Sequence, residues 1–529
     1  MGLAVLLCIP QGAGAVKAYP RPVIVTQPDG TKVTVRIHGD ESFHYVTTID
    51  GFLLDKDEAG YFCYVNYDFT TGRKSISGQR AHNVGERTAA EKTFVTGLKA
   101  AKLVNADIKT RRQVTAKQPA RIVKTGKNAT GAMKAKAASD AECQYLVILV
   151  NFKDCAFQHN LDDFDTWLNE PGYSTNGGTG SVKDYFRDNS MGQFVPNFHV
   201  VGPYTLSQDQ VYYAGNSEET GEDVNPRAMV REACDLAKAA NPGLDFSQFD
   251  NDGDGYMDNC YIIYAGYSEA STADGDDMWP HSWTMGEEVF SIDGVTIDNY
   301  SCSAELVGMP GYPVQPTMDG IGTFTHEFGH ILGLKDMYDT DDYTNGYGVD
   351  PGAYSLYASG SYNNDSRTPP CLMAFERLQM GWATEGVDIV ELKDAEDVTL
   401  DNVSTNKARY INAQPGREEG TGYEWFVLEN RQKTGWDSYI PAHGLLIYHY
   451  DYTKEMVDEY WSVNGPNNNA KHRCMYIKAA DGVDDENSRA GDTFPGTSAN
   501  TSFTDTTTPN ALNWNNEPCL LYTSPSPRD

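Results

Sequence analysis

The stretch Thr325-His326-Glu327-Phe328-Gly329-His330-Ile331-Leu332-Gly333-Leu334-Lys335-Asp336 constrains this chain more than any other. Apolar Phe324, Phe328 and Ile331 recur at i, i+4 and i+7, which predicts a helix and sets His326 and His330 one turn apart on a single face. Two imidazoles so placed can share a metal ion. Gly333 is placed to end the helix in a left-handed cap, turning the chain back so that Asp336 brings a third ligand. Three protein ligands leave the fourth position of a zinc ion to water, whose pKa falls toward about 7, and Glu327 is spaced to take the proton. The pattern predicts a zinc peptidase site. Gly329 needs a separate reason, because a glycine costs an ordinary helix interior about 1 kcal/mol relative to alanine.

A second constellation lies upstream. Asp250, Asp252, Asp254 and Asp258 occupy positions 1, 3, 5 and 9 of a loop, with Gly255 at 6 and the Tyr256 carbonyl at 7. Such an oxygen-rich set suits Ca²⁺. Position 12 is Tyr261, inside a strand-like run, so the expected site lacks the bidentate Glu and paired helices of an EF-hand. The alternative is a solvated acidic turn, in which so many close carboxylates repel one another.

With 529 residues the chain has room for several domains. Leu3–Ile9 form a short apolar run followed by small residues, so 1–18 reads as a clipped signal peptide with cleavage expected after Ala18. Short alternating segments such as KVTVRI and YFCYVNYD predict a small β-rich leader over 19–91. The tract 92–140, which from Lys92 to Lys136 carries twelve Lys or Arg against one acid, Asp107, reads as an exposed linker. A catalytic domain is expected over 141–385. Its predicted strands are 145–152 and 259–265, and its predicted helices 162–169, 181–189, 226–240 and 368–380. Residues 386–518 read as a C-terminal β-rich domain. The final CLLYTSPSPRD, 519–529, resembles a translated sequencing adapter and is set aside as non-native, with the gene expected to run past Pro518.

A net charge of −32 argues against nucleic acid or anionic membrane as the main partner, and no internal run is apolar enough to span a bilayer. The cysteines form no CxxC pair. Cys143 and Cys155 are the nearest pair for a disulfide, with buried free thiols as the alternative.

The motifs SVKDYFRDNSMGQF, FDNDGDGYMD, HEFGHILGLKDMYD, ASGSYNNDSRTPP and GWDSYIPAHGLLIYHYDY followed by GDTFPG resemble the secreted bacterial metallopeptidases of the immune inhibitor A type. QPDGTKVTVRIHGDE is similar to the leader of such proteins. The resemblance implies an α+β multidomain chain whose zincin-like α/β catalytic domain carries an HExxH helix. It also implies zinc on His326, His330 and Asp336, Glu327 as general base, and structural calcium. Family members usually carry a methionine turn under the metal, whereas here Leu356 is followed by Tyr357 and Ala358. Tyr357 or Tyr362 can be read as oxyanion donors or as packing.

These readings converge on a secreted or surface-attached zinc endopeptidase acting on proteins or peptides. The alternatives are an inactive calcium-stabilised surface binding protein and an adhesion role for the C-terminal half. The order leader, basic tract, catalytic core further predicts latency, relieved by cutting between Arg111 and Lys136. In that scheme the leader shields the acidic cleft, or Cys63 or an acidic side chain caps the zinc.

Overall fold

The protein, analysed as a computed structural model, is described over residues 14–68, 73–98, 143–217, 221–313, 315–340, 346–393, 397–418 and 420–519. Most of the basic tract, with the expected processing sites at Arg111, Arg112 and beyond, lies outside the described residues, as do Leu3–Ile9 and 520–529.

Cys143–Asn151 is apolar along both faces because it is a central strand. It pairs in parallel with Pro196–Thr205 on one side and Cys260–Tyr264 on the other, and Asn299–Ala304 continues the parallel set. His281–Thr284 then runs antiparallel at the edge, and Gly14–Ala15 adds a sixth, antiparallel strand outside it. Alternate residues of the central strand face opposite layers. Leu146, Ile148 and Val150 pack with Met229, Val230 and Ala233 of the helix Pro226–Ala240. Val147 and Leu149 join Phe324, Phe328 and Ile331 of the helix Ile321–Leu332.

That helix carries the HEFGH motif, and all its residues are buried. Phe324 stacks 3.8 Å from Tyr261, and Phe328 sits among Tyr145, Phe186 and Phe198 at 4.8–5.3 Å between ring centres. The C-terminal domain closes the lower side. Its five-stranded sheet, Ile389–Glu391 through Met475–Ile477, gives Trp425, Tyr448 and Tyr450 to the same apolar cluster, so the two domains share one core.

The leader is a six-stranded antiparallel meander, Val23–Thr26 to Arg73–Arg80, with strands paired in sequence order. A helix, Ala89–Gly97, crosses the expected linker boundary at 92; it starts because Thr88 accepts from the Glu91 N–H as an N-cap. The helix expected over 368–380 forms only at Ala374–Gln379. Pro369 and Pro370 hold the preceding residues extended, and the Pro370 carbonyl accepts from the Tyr185 hydroxyl at 2.8 Å. All nine described cysteines are free thiols, so Cys143 and Cys155 are not joined. No helix among the described residues is long and apolar enough to cross a membrane.

Candidate active site

Gly333 ends the HEFGH helix with φ +109°, its N–H bonding the His330 carbonyl at 3.0 Å. The reversed chain brings Asp336 Oδ1 to 3.1 Å from His326 Nε2 and 3.4 Å from His330 Nε2. Ligands about 2.0–2.1 Å from a tetrahedral zinc ion stand roughly 3.3 Å apart, so the three atoms fit one ion. His330 Nε2 and Asp336 Oδ1 are buried without a hydrogen-bond partner, which is the arrangement a cation resolves.

Each candidate ligand is aimed from behind. His326 Nδ1 donates to the Leu356 carbonyl and His330 Nδ1 to the Leu334 carbonyl, both at 2.9 Å, which turns both Nε2 atoms to the site. Asn464, from the C-terminal domain, donates to Asp336 Oδ2 at 2.6 Å and accepts the Asp336 N–H at 2.9 Å. Burial raises the Asp336 carboxyl, but His330 and His326 outweigh it and hold the group well below the usual carboxylate range. Burial pushes Glu327 well above that range, with Asp336 and Glu41 adding repulsion and the Val16 N–H opposing it.

That N–H directly follows the added edge strand Gly14–Ala15, and the segment runs through the cleft. The Ala15 carbonyl oxygen lies 3.0 Å from His326 Nε2 and accepts from the Tyr338 hydroxyl at 2.5 Å. The next N–H, of Val16, donates to Glu327 Oε1 at 2.6 Å. Beyond it, Trp279 Nε1 donates to the Val16 carbonyl at 2.9 Å, and the Tyr362 hydroxyl to the Lys17 carbonyl at 2.6 Å. Val16 borders a 160 Å³ cavity walled by Leu306, Met309 and Tyr312 among others. Ala15, Val16 and Ala18 are buried in one cluster with leader and cleft residues. A cut after Ala18, as the sequence suggested, would remove this strand. That strand is folded into the cleft.

The two tyrosines singled out from the sequence separate. Tyr362 binds a backbone carbonyl two residues past Ala15, not the carbonyl beside His326. Tyr357 takes the place of the turn methionine beneath the imidazoles, its ring centre 5.0 Å from His326 and 5.3 Å from His330. It also explains Gly329: a Cβ there would lie 1.7 Å from the Tyr357 hydroxyl. Gly329→Ala is therefore expected to destabilise the fold by about 1–3 kcal/mol, and Tyr357→Met in the same chain to recover most of the loss. Equal unfolding midpoints for the single and double variants would break this link. Trp279 and Asn464 carried no local signal in the sequence, and Tyr338 lies within the HEFGHILGLKDMYD motif without a role having been read for it. Cys63 lies in the strand Phe62–Asp68, buried, with its sulfur 3.7 Å from Asp57 Oδ2, and not beside His326, His330 or Asp336.

Asp250, Asp252 and Asp254 converge, with carboxylate oxygens within 4.8 Å of one another. Both Asp250 oxygens also accept loop N–H groups, from Gly253, Asp254 and Gly255 at 2.7–3.1 Å. Tyr256 continues the loop, its N–H bonding Asp254 Oδ1 at 2.9 Å. Asp258 departs from the expectation. It turns inward to accept from Asn251 Nδ2 at 2.7 Å, and burial pushes its carboxyl up to about 8.

Residues 132–383 match the family described as immune inhibitor A peptidase M6, catalytic domain. Over 202 residues the chain is 32% identical to immune inhibitor A of Bacillus thuringiensis subsp. alesti, covering 34% of this chain and 28% of that protein. Over 216 residues it is 28% identical to pre-pro-metalloprotease PrtV of Vibrio cholerae serotype O1, covering 37% of this chain and 23% of that protein. The chain thus spans about a quarter of the length of these curated relatives.

Proposed function

We propose, because residues 132–383 match the immune inhibitor A peptidase M6 catalytic domain, that this chain is a secreted zinc-dependent endopeptidase hydrolysing peptide bonds in protein substrates. The observation that carries the reading is the Ala15–Val16 peptide lying across the site, its carbonyl at the metal ligands and its N–H on Glu327. A scissile bond needs that placement.

Zinc held by His326, His330 and Asp336 would polarise the carbonyl and lower the pKa of an attacking water. Glu327 takes the water proton and passes it to the leaving nitrogen, whose place Val16 N now holds. Tyr338 donates to the carbonyl oxygen as negative charge develops there, a donor of the oxyanion-hole kind. Trp279 and Tyr362 hold the two following carbonyls and so align the peptide. Metal analysis coupled to hydrolysis of an unfolded protein such as casein tests the reading. One zinc per chain and cleavage after activation are expected; a folded chain without zinc or activity would favour the surface-binding alternative.

The cleft strand also gives latency a concrete form, in which backbone of the chain's own N-terminal part, rather than Cys63 or an acidic side chain, fills the substrate position. His44 of the leader stacks 4.7 Å from Trp279, and its Nε2 lies 3.0 Å from Glu269, so leader and cleft wall hold the strand together.

Calcium enters as a stabiliser. Asp250, Asp252 and Asp254 supply the carboxylates, with the Tyr256 carbonyl as the backbone ligand, and Asp258 plays no part unless it rotates. An ion present at a hundredfold over its dissociation constant adds about 2.7 kcal/mol. Chelation is therefore expected to lower the melting temperature, with Asp252→Ala mimicking it. A melting curve indifferent to millimolar calcium would return the loop to a plain acidic turn.

A further inference from the structure

The cleft strand carries one cationic side chain into a receptor belonging to the catalytic and C-terminal domains. Lys17 is the second residue after the Ala15 carbonyl. Its Nζ lies 2.8 Å from Asp350 Oδ2, 3.1 Å from Glu486 Oε2 and 3.2 Å from the Tyr347 hydroxyl. The Tyr347 hydroxyl in turn donates to Glu486 Oε2 at 2.5 Å, which makes the three groups one acceptor set. Lys17 is only 14% exposed at its side chain, and the Asp350 carboxylate not at all.

None of the three receptor residues belongs to the leader, so the pocket stays with the enzyme when the strand leaves. The neighbouring Arg489 does not neutralise it by direct contact. Its guanidinium bonds the Asp492 carboxylate at 3.0 Å and the Asp350 backbone carbonyl, not the Asp350 carboxylate. Asp350 Oδ1 takes the Gly352 N–H at 2.7 Å, leaving Oδ2 directed at the cleft. Without Lys17, two carboxylates face the same space at one wall of the cleft, and their mutual repulsion favours another cation there.

We propose that Asp350, Tyr347 and Glu486 form a substrate subsite for a basic side chain. Peptides then bind antiparallel to His281–Thr284 and are cut so that lysine or arginine is the second residue after the scissile bond. The inference rests on the peptidase reading. Charge-assisted hydrogen bonds to a partly buried carboxylate pair make the discrimination roughly ten- to hundredfold in kcat/KM.

The test uses the zinc-loaded full chain after brief activation with trypsin, inhibitor then being added. Quenched peptides Gly-Ala-Val-Xaa-Ala-Tyr, with Xaa lysine, arginine, alanine or glutamate, are compared, and casein hydrolysis is measured in parallel. Lysine and arginine peptides are expected to be cut at least tenfold faster than alanine, with glutamate slowest. Glu486→Lys is expected to invert the lysine-to-glutamate order. Asp350→Asn is expected to reduce the preference; if it fails to fold, Glu486→Gln at the more exposed carboxylate gives the same reading. Hydrolysis of casein with equal rates on the lysine and alanine peptides overturns the subsite and leaves the peptidase standing. Loss of cleavage of every peptide and of casein by a zinc-containing chain overturns the peptidase reading and the subsite with it.

Discussion

Glu327→Ala is expected to lower turnover by about 10²–10⁴-fold, the range set by a positioned general acid and base, while the chain keeps its zinc. Glu327 lies between the candidate ligands His326 and His330 on the helix and is not one of the three groups whose donor atoms converge. Its Oε1 accepts the Val16 N–H at 2.6 Å, and its Oε2 is buried without a hydrogen-bond partner. Removing it takes away a desolvated carboxylate, so folding is not expected to suffer. The three donor atoms on His326, His330 and Asp336 are untouched, together with their supports Leu356, Leu334 and Asn464. Wild-type and variant proteins are compared for zinc content and casein hydrolysis after activation. Equal activity with equal zinc would remove Glu327 from the mechanism.

Gly14→Val is expected to open the cleft of the full chain without any proteolysis. A Cβ at Gly14 would lie 2.5–2.6 Å from the Nε2, Cδ2 and Cε1 atoms of the His330 ring. That ring is pinned by its bond to the Leu334 carbonyl, so the strand must give way. A tethered segment acts at an effective concentration on the order of millimolar. If it binds with a dissociation constant near 1 µM, about one site in a thousand is free, and expulsion raises activity by up to about 10³-fold. The comparison is initial activity of the uncut wild-type and variant chains, followed by brief trypsin treatment of each. Trypsin is expected to activate the wild type strongly and the variant little. Full activity in uncut wild type would eliminate the strand as an inhibitor.

What could be read from the sequence was set by local geometry. The 3.6-residue period alone puts His326 and His330 on one face, and only a left-handed residue such as Gly333 lets the chain double back within four residues to Asp336. The strands at 145–152 and 259–265 and the helices at 162–169, 181–189 and 226–240 appeared for the same reason, in that their apolar patterns were local; the caps Asn160 and Ser181 that start two of these helices were supplied by the structure. The helix over 368–380 was overextended because its apolar pattern continued through a Pro-Pro pair whose backbone restriction overrode it.

The occupant of the cleft and its surroundings were decided only by the tertiary structure. Val16 and Glu327 are 311 residues apart, Asp336 and Asn464 128, and Lys17 and Glu486 469. No periodicity or spacing reports such pairs, because their partners are chosen by how three domains pack and not by any local backbone preference. Gly329 shows the boundary within a single motif. Its cost to the helix was visible in the sequence, but its reason, the hydroxyl of Tyr357 at the position a Cβ would take, exists only once the turn after residue 351 has folded beneath the imidazoles.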